Sequence, residues 1–185
     1  MSAVLFIAGS PSETSRSSRV ARAVAEQLAK VGVASRPFSL HDFDAGDLLH
    51  ARSGAPSVEA FTRAAAEAPA IVLSSPVYKG IYTGGLKAIV DLVGYDALVG
   101  KPALGIATAK LPPHGQTVTA AYAQLFEFFR ARSMGTLFFT DEELTVPEGQ
   151  AAFREGVTGR IEDASRRLAQ ALRSGSNPVT ASTRG

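Results

Sequence analysis

Five short apolar runs punctuate the chain, and between them hydrophobic residues recur at helical spacing. The first run, Val4 to Ala8, is apolar at every position, as a strand buried on both faces of a parallel sheet requires. Ala70 to Ser74, Pro102 to Thr108 and Gly135 to Phe139 also read as strands, and Val33 to Leu40 alternates loosely as a further one. Val20, Val24 and Leu28 mark a helix over 17–30, ended by Gly32 as a C′ residue. Ser57 is placed to cap a helix through Ala66, with Val58, Phe61 and Ala65 on one face. Leu86, Ile89, Val90 and Val93 predict a helix over 84–93. Val118, Tyr122, Leu125, Phe126 and Phe129 predict one over 117–132, and a last helix is expected over 148–173. His41 to Ala55 is polar, and Asp44-Ala45-Gly46-Asp47 reads as a turn.

Strands therefore alternate with amphipathic helices, without an internal repeat or a break in composition. That pattern predicts an α/β fold with a parallel sheet covered on both faces. One domain over 1–173 is expected, followed by a disordered Ser/Thr/Gly/Pro/Asn tail over 174–185. Ligands of such folds sit beyond the carboxyl ends of the strands, at the topological switch point. Three unusual loops fall there: 10–17, 75–83 and 108–115.

Composition narrows the chemistry. The 185 residues carry a net charge of +2 with scattered basic residues, so no nucleic-acid or membrane surface is indicated. With no cysteine, disulfides, thiolate metal sites and Cys nucleophiles are excluded, and three dispersed histidines make no convincing metal site. No apolar run approaches the roughly 18 residues of a membrane span, and the N-terminus has no basic leader, so a cytoplasmic protein is expected.

The first loop carries the strongest chemical signal. Ser10, Ser12, Thr14, Ser15, Ser17 and Ser18 surround one cation, Arg16, where a strand feeds a helix. Hydroxyls, unpaired amides and a guanidinium at a helix start suit a phosphate; a lone Ser15 or Ser17 could equally be an N-cap. The chain has no G-x-x-x-x-G-K-[ST] run and no Gly-x-Gly-x-x-Gly after the first strand, which disfavours a P-loop NTPase and a dinucleotide-binding Rossmann site. A mononucleotide with its phosphate on loop one remains. In the second loop, Pro76, Val77 and Tyr78 supply apolar and aromatic surface for a flat heterocycle, and backbone amides with Lys79 can bond its polar rim.

Gly9-Ser10-Pro11, Ser15-Arg16-Ser17-Ser18, Ser75-Pro76-Val77-Tyr78-Lys79, Tyr82, Gly84, Leu86-Lys87 and Asp91-Leu92 resemble the flavodoxin-like NAD(P)H-dependent FMN reductases. Asp47-Leu48-Leu49, Ala51-Arg52 and Phe61-Thr62 resemble that family too, especially the reductases that feed alkanesulfonate monooxygenases. The resemblance covers residues 3–108 well and the remainder loosely. It implies a three-layer sandwich with a five-stranded parallel sheet in order 2-1-3-4-5, and FMN and NAD(P)H as cofactors. Ser10, Ser15, Arg16, Ser17 and Ser18 would bind the FMN phosphate and polyol. Pro76, Val77, Tyr78 and Lys79 would line the ring, which Thr108, Ala109 and Lys110 would flank. Where the family typically carries Gly-Gly after Thr108, this chain has Ala109-Lys110. Tyr122 matches a family helix tyrosine linked to flavin release, and equally fits a core aromatic.

The expected reaction is hydride transfer from NAD(P)H to FMN. It needs no protein acid, base or nucleophile, with Lys79 as a candidate to polarise the flavin. The implied partners are a flavin-dependent monooxygenase and further copies of the chain, as a homodimer or homotetramer. Two other readings fit the same loops: a quinone, azo or metal-ion reductase retaining FMN, and a flavodoxin-type electron carrier. Such carriers tend to be strongly acidic and to stack flavin on Trp, whereas this chain is slightly basic and has no Trp.

Overall fold

The computed structural model describes residues 3–145 and 153–175. Strand β1 (Val4–Ala8) leads to helix α1 (Arg16–Ala29), strand β2 (Ser35–Ser39), a 3-10 turn (Leu40–Asp42), and helices α2 (Ala45–Leu49) and α3 (Pro56–Glu67). Then come β3 (Ile71–Tyr78), the two-residue β4 (Ile81–Tyr82), α4 (Gly84–Val90), β5 (Pro102–Ala109), α5 (His114–Phe128), β6 (Arg132–Thr140) and α6 (Glu155–Gly175).

The long strands are all parallel and run β2-β1-β3-β5-β6, which is the expected order 2-1-3-4-5. The unexpected strand is β4, antiparallel to the end of β3. Alternate residues along each strand face opposite layers. Leu5, Ile7 and Leu73 pack with Phe61, Leu86, Ile89, Tyr122 and Phe126. Val4, Phe6, Val72 and Ile106 pack on the other face with Val20, Val24, Leu28, Ile161 and Leu168.

Several local expectations change. The segment Asp44–Asp47 opens a helix rather than a turn, because the Asp44 carboxylate accepts from the amides of Gly46 and Asp47 at 2.8 and 3.1 Å. Helix α3 starts one residue before Ser57, with Pro56 in its first turn and Ala55 in the N-cap position. Helix α5 starts at His114, directly after the Pro112-Pro113 pair. Strand β6 begins at Arg132, before the expected Gly135, and accommodates an irregularity opposite Ala103 to Gly105, with Gly135 at φ 86°. Gly32, at φ 77°, does end α1: its amide donates to Ala29 and that of Val33 to Leu28, the bond pair of a Schellman motif. The last helix extends to Gly175, two residues into the expected tail. Its expected start at 148 and the tail from 176 lie outside the described residues.

Candidate functional site

The three loops lie at the carboxyl edge of the sheet, and buried polar contacts tie the first to the second. Loop one is shaped first. The Ser10 hydroxyl accepts from the Ser12 amide at 3.1 Å, and the Ser15 amide donates to the Ser12 carbonyl at 3.3 Å. Ser15 occupies the N-cap position of α1 but makes no side-chain capping bond; its hydroxyl pairs instead with that of Ser17 at 2.8 Å. The amides of Arg16, Ser17 and Ser18 thus stand at a helix start with no intrahelical acceptor, and no acidic side chain occupies this first turn. Ser10, Ser15 and Ser17 are buried, Ser18 is half-buried, and Arg16 is exposed. This donor set fits a phosphate: it offers hydroxyls, amides and a guanidinium at the positive end of a helix dipole.

Gly9 connects loop one to loop two. Its amide donates to Ser74 at 2.8 Å, and its carbonyl accepts from the Thr83 hydroxyl at 2.5 Å. Thr83 also caps α4 through the Leu86 amide at 3.0 Å, while its own amide donates to the Ser75 hydroxyl at 2.9 Å. The helix lies directly on Gly9: a Cβ there would sit 2.3 Å from Leu86 Cβ and 2.7 Å from Leu86 Cα. No other residue type fits this approach.

Loop two is a tight hairpin. Tyr78 pairs with Ile81 across Lys79-Gly80, both of which have positive φ (53° and 100°), as a two-residue type I′ turn requires. Tyr78 and Lys79 are exposed, and Pro76 and Val77 are half-buried. Pro76 stands beside Thr108 in the β3–β5 register, so ring-lining candidates from loops two and three share one edge. Thr108 and Ala109 are buried and Lys110 is exposed. The start of α5 is tied to the hairpin by the Thr117 hydroxyl, which donates to the Gly80 carbonyl at 2.5 Å.

The departure at Ala109-Lys110 is backed by β6. The Asp141 amide donates to the Ala109 carbonyl at 2.8 Å. The Asp141 carboxylate lies 3.6 Å from Arg16, a partner the sequence reading missed. Two residues on, Glu143 accepts from the Thr140 amide at 2.7 Å and from Arg160 at 2.8 Å, and Arg160 lies over the Phe139 ring. Partial burial pushes the Glu143 carboxyl up, but the Thr140 bonds and the Arg160 charge hold it below the usual glutamate range. The acidic run Asp141-Glu142-Glu143 directly after a strand was the available signal. Tyr122 lies beneath the hairpin, its ring 5.2 Å from that of Tyr82: it is fully buried, its hydroxyl donates to Ile106 at 3.2 Å, and its ring packs on Gly105, whose Cβ would approach within 2.8 Å. Burial, then the Tyr82 charge, raise its phenol well above the ordinary value.

A cavity of about 620 Å³ opens on the β2 side of loop one, shared by Ser10, Ser12, Ser18, Phe38, His41 and Asp42. It does not extend over Tyr78 or Lys79, where the ring-lining candidates form open surface. The cavity reaches the switch point between β1 and β3 through Ala8, Ser10 and Ser74, on the side of loop one away from the hairpin. Among the described residues no cluster of His, Cys, Asp and Glu could hold a metal ion, and no helix is long and apolar enough to cross a membrane.

Comparison with known proteins shows the family. The family model described as NADPH-dependent FMN reductase matches residues 2–145. An FMN reductase (NADPH) of Pseudomonas putida is 33% identical over 179 residues, covering 95% of this chain and 91% of its own length. That of Escherichia coli is 31% identical, with 91% and 89% covered. Among solved structures, an apo NADH:FMN oxidoreductase (EMOB) superposes with a TM-score of 0.85 at 26% identity, over 96% of this chain and 92% of that one. An archaeal flavodoxin, at TM-score 0.62 and 11% identity over 94% and 99% of the two chains, shares the fold alone. The chain belongs to the NADPH-dependent FMN reductase family.

Proposed function

We propose that the three loops form the flavin site of an NAD(P)H-dependent FMN reductase, with phosphate on loop one and the ring between loops two and three. The observation that carries this is the Ser15–Ser17 hydroxyl pair. It withholds the usual side-chain cap and leaves the first-turn amides of α1 free for an anion. Ser10, Ser15, Arg16, Ser17 and Ser18 hold the phosphate and polyol end. Pro76, Val77 and Tyr78 supply the apolar wall, and Thr108 and Ala109 close the opposite edge, with Lys110 at the rim.

Bound FMN would supply the hydride acceptor, so that NAD(P)H, FMN and a proton give NAD(P)⁺ and reduced FMN. The chain's part is binding and orientation. Lys79, exposed at the hairpin tip with its own φ at 53°, would bring positive charge to the ring rim, where negative charge develops. No side chain needs to act as nucleophile. Lys110 stands where the nicotinamide must approach and narrows that access relative to a Gly-Gly pair. We further propose that FMN leaves after reduction and supplies a partner monooxygenase. This part rests on the family resemblance.

The test is NADH and NADPH oxidation with FMN or riboflavin as acceptor. FMN should show a KM roughly tenfold below that of riboflavin, and Arg16→Ala should remove most of that difference, as expected for one charge-assisted phosphate contact. Equal KM values for the two flavins in the unaltered enzyme would refute the role of loop one. Flavin binding without NAD(P)H oxidation would leave only an electron carrier.

A further inference from the structure

We infer that Asp141 is a specificity-determining residue for flavin retention: its carboxylate competes with the flavin phosphate for Arg16 and keeps FMN exchangeable. The inference rests on loop one being the phosphate site. Arg16 opens α1, which follows β1, and Asp141 follows β6 at the far side of the sheet. Their contact therefore reaches across the ends of β3 and β5, where the flavin is placed. It is a single approach, Nη1 to Oδ2 at 3.6 Å, with side chains 50% and 36% exposed. A bidentate, buried pair would hold the guanidinium in one orientation; this one does little for stability or orientation. What it does is set a negative charge beside the one cation of the phosphate loop.

The backbone of Asp141 is pinned where it stands. Its amide is bonded to Ala109 at 2.8 Å and its carbonyl accepts from the Thr145 hydroxyl at 2.9 Å. The turn around it is fixed by Glu143, which accepts from the Thr140 amide and hydroxyl and from Arg160. An arriving phosphate dianion must therefore share Arg16 with a carboxylate whose backbone keeps it nearby, and feels its repulsion. Asp141 acts through Arg16, so it is a positioning residue and touches neither the ring nor the nicotinamide.

The experiment is equilibrium titration of the purified full chain with FMN and with riboflavin, for the unaltered protein, Asp141→Asn and Asp141→Ser. Removing one charge several ångströms from a dianion near the surface should tighten FMN binding about fivefold to tenfold at low salt. Riboflavin, lacking the phosphate, should bind unchanged. The KM for FMN should fall with its Kd, while that for riboflavin stays. Thermal midpoints within about 1 °C of the unaltered protein confirm that the fold is intact. Unchanged or weakened FMN binding in both variants overturns the inference, as does equal tightening of riboflavin. If unaltered protein binds FMN and riboflavin equally, the placement of phosphate on loop one fails first, independently of Asp141.

Discussion

Replacing Gly9 by alanine tests the joint on which the site is built. The added Cβ would lie 2.3, 2.7 and 2.9 Å from Leu86 Cβ, Cα and N, so two of the three obstacles are backbone. Nothing can rotate away. Ordinary contact begins near 3.4 Å, so the helix or the loop must move by roughly 1 Å in a core packed like an organic crystal. Leu86 and Ile89 are fully buried, and the Thr83 hydroxyl ties Gly9 to the start of the same helix. Such overpacking costs about 2–4 kcal/mol, a drop of roughly 5–12 °C in midpoint for a domain of this size. Thermal unfolding followed by circular dichroism reads the stability, and flavin fluorescence quenching reads FMN affinity, which should fall together with it. Gly159→Ala is the control: its Cβ meets nothing within 4 Å inside α6, and the gain in helix propensity should raise the midpoint by about 1–3 °C. A Gly9→Ala protein that melts within about 1 °C of the unaltered one, with the same FMN affinity, would refute the claim that α4 sets the position of loop one.

Three further outcomes are expected. Thr83→Ala removes the α4 cap and the bond to Gly9, and should cost about 2–3 kcal/mol in denaturant titration, whereas Thr83→Ser should recover most of it; equal loss in both would shift the blame to the methyl group. Glu143 has its carboxyl held below the ordinary range, so its stabilising contribution is full above the unfolded value and is lost as pH falls through the lowered folded one. The midpoint gap between unaltered protein and Glu143→Gln should accordingly shrink as pH falls from 7 to below about 4, and a gap constant over that range would contradict the assignment. Tyr122, raised well above its ordinary value of 10.0 by burial and then by Tyr82, lends stability below that value that fades as pH rises past it; Tyr122→Phe should cost about 1 kcal/mol at neutral pH and soften the loss of stability expected above pH 10.

The long strands were legible because burial on both faces leaves an unbroken apolar run, as in Val4–Ala8 and Ala70–Ser74. The edge was less so. Ser35, Arg36 and Pro37 of β2 are exposed and carry no periodic signal, and β4 exists because an I′ turn folds two residues back onto β3. The 45–49 helix is too short for a periodicity and stands on one carboxylate cap. At the site, loop one and the Pro76–Lys79 stretch were readable as clusters of residue types next to strand ends. The Asp141–Arg16 contact was not, since the partners are 125 positions apart by the numbering of the pair, and only the crossing of the sheet brings them together. Thr83 was unreadable for the same reason: one hydroxyl serving a cap and a distant carbonyl looks, in sequence, like any threonine before a glycine pair.

The Gly9–Leu86 approach has a consequence for anyone rebuilding this protein. Loop one cannot be transplanted as a peptide, because the surface that shapes it belongs to residues more than seventy positions downstream. The transferable unit is a discontinuous block: the end of β1 with its loop, the hairpin after β3, and the first turn of α4. A donor loop grafted without that helix would present the same serines on a backbone free to close over them. Conversely, libraries that vary 10–18 while holding Gly9, Ser75, Thr83 and Leu86 fixed would search phosphate chemistry on a constant mount.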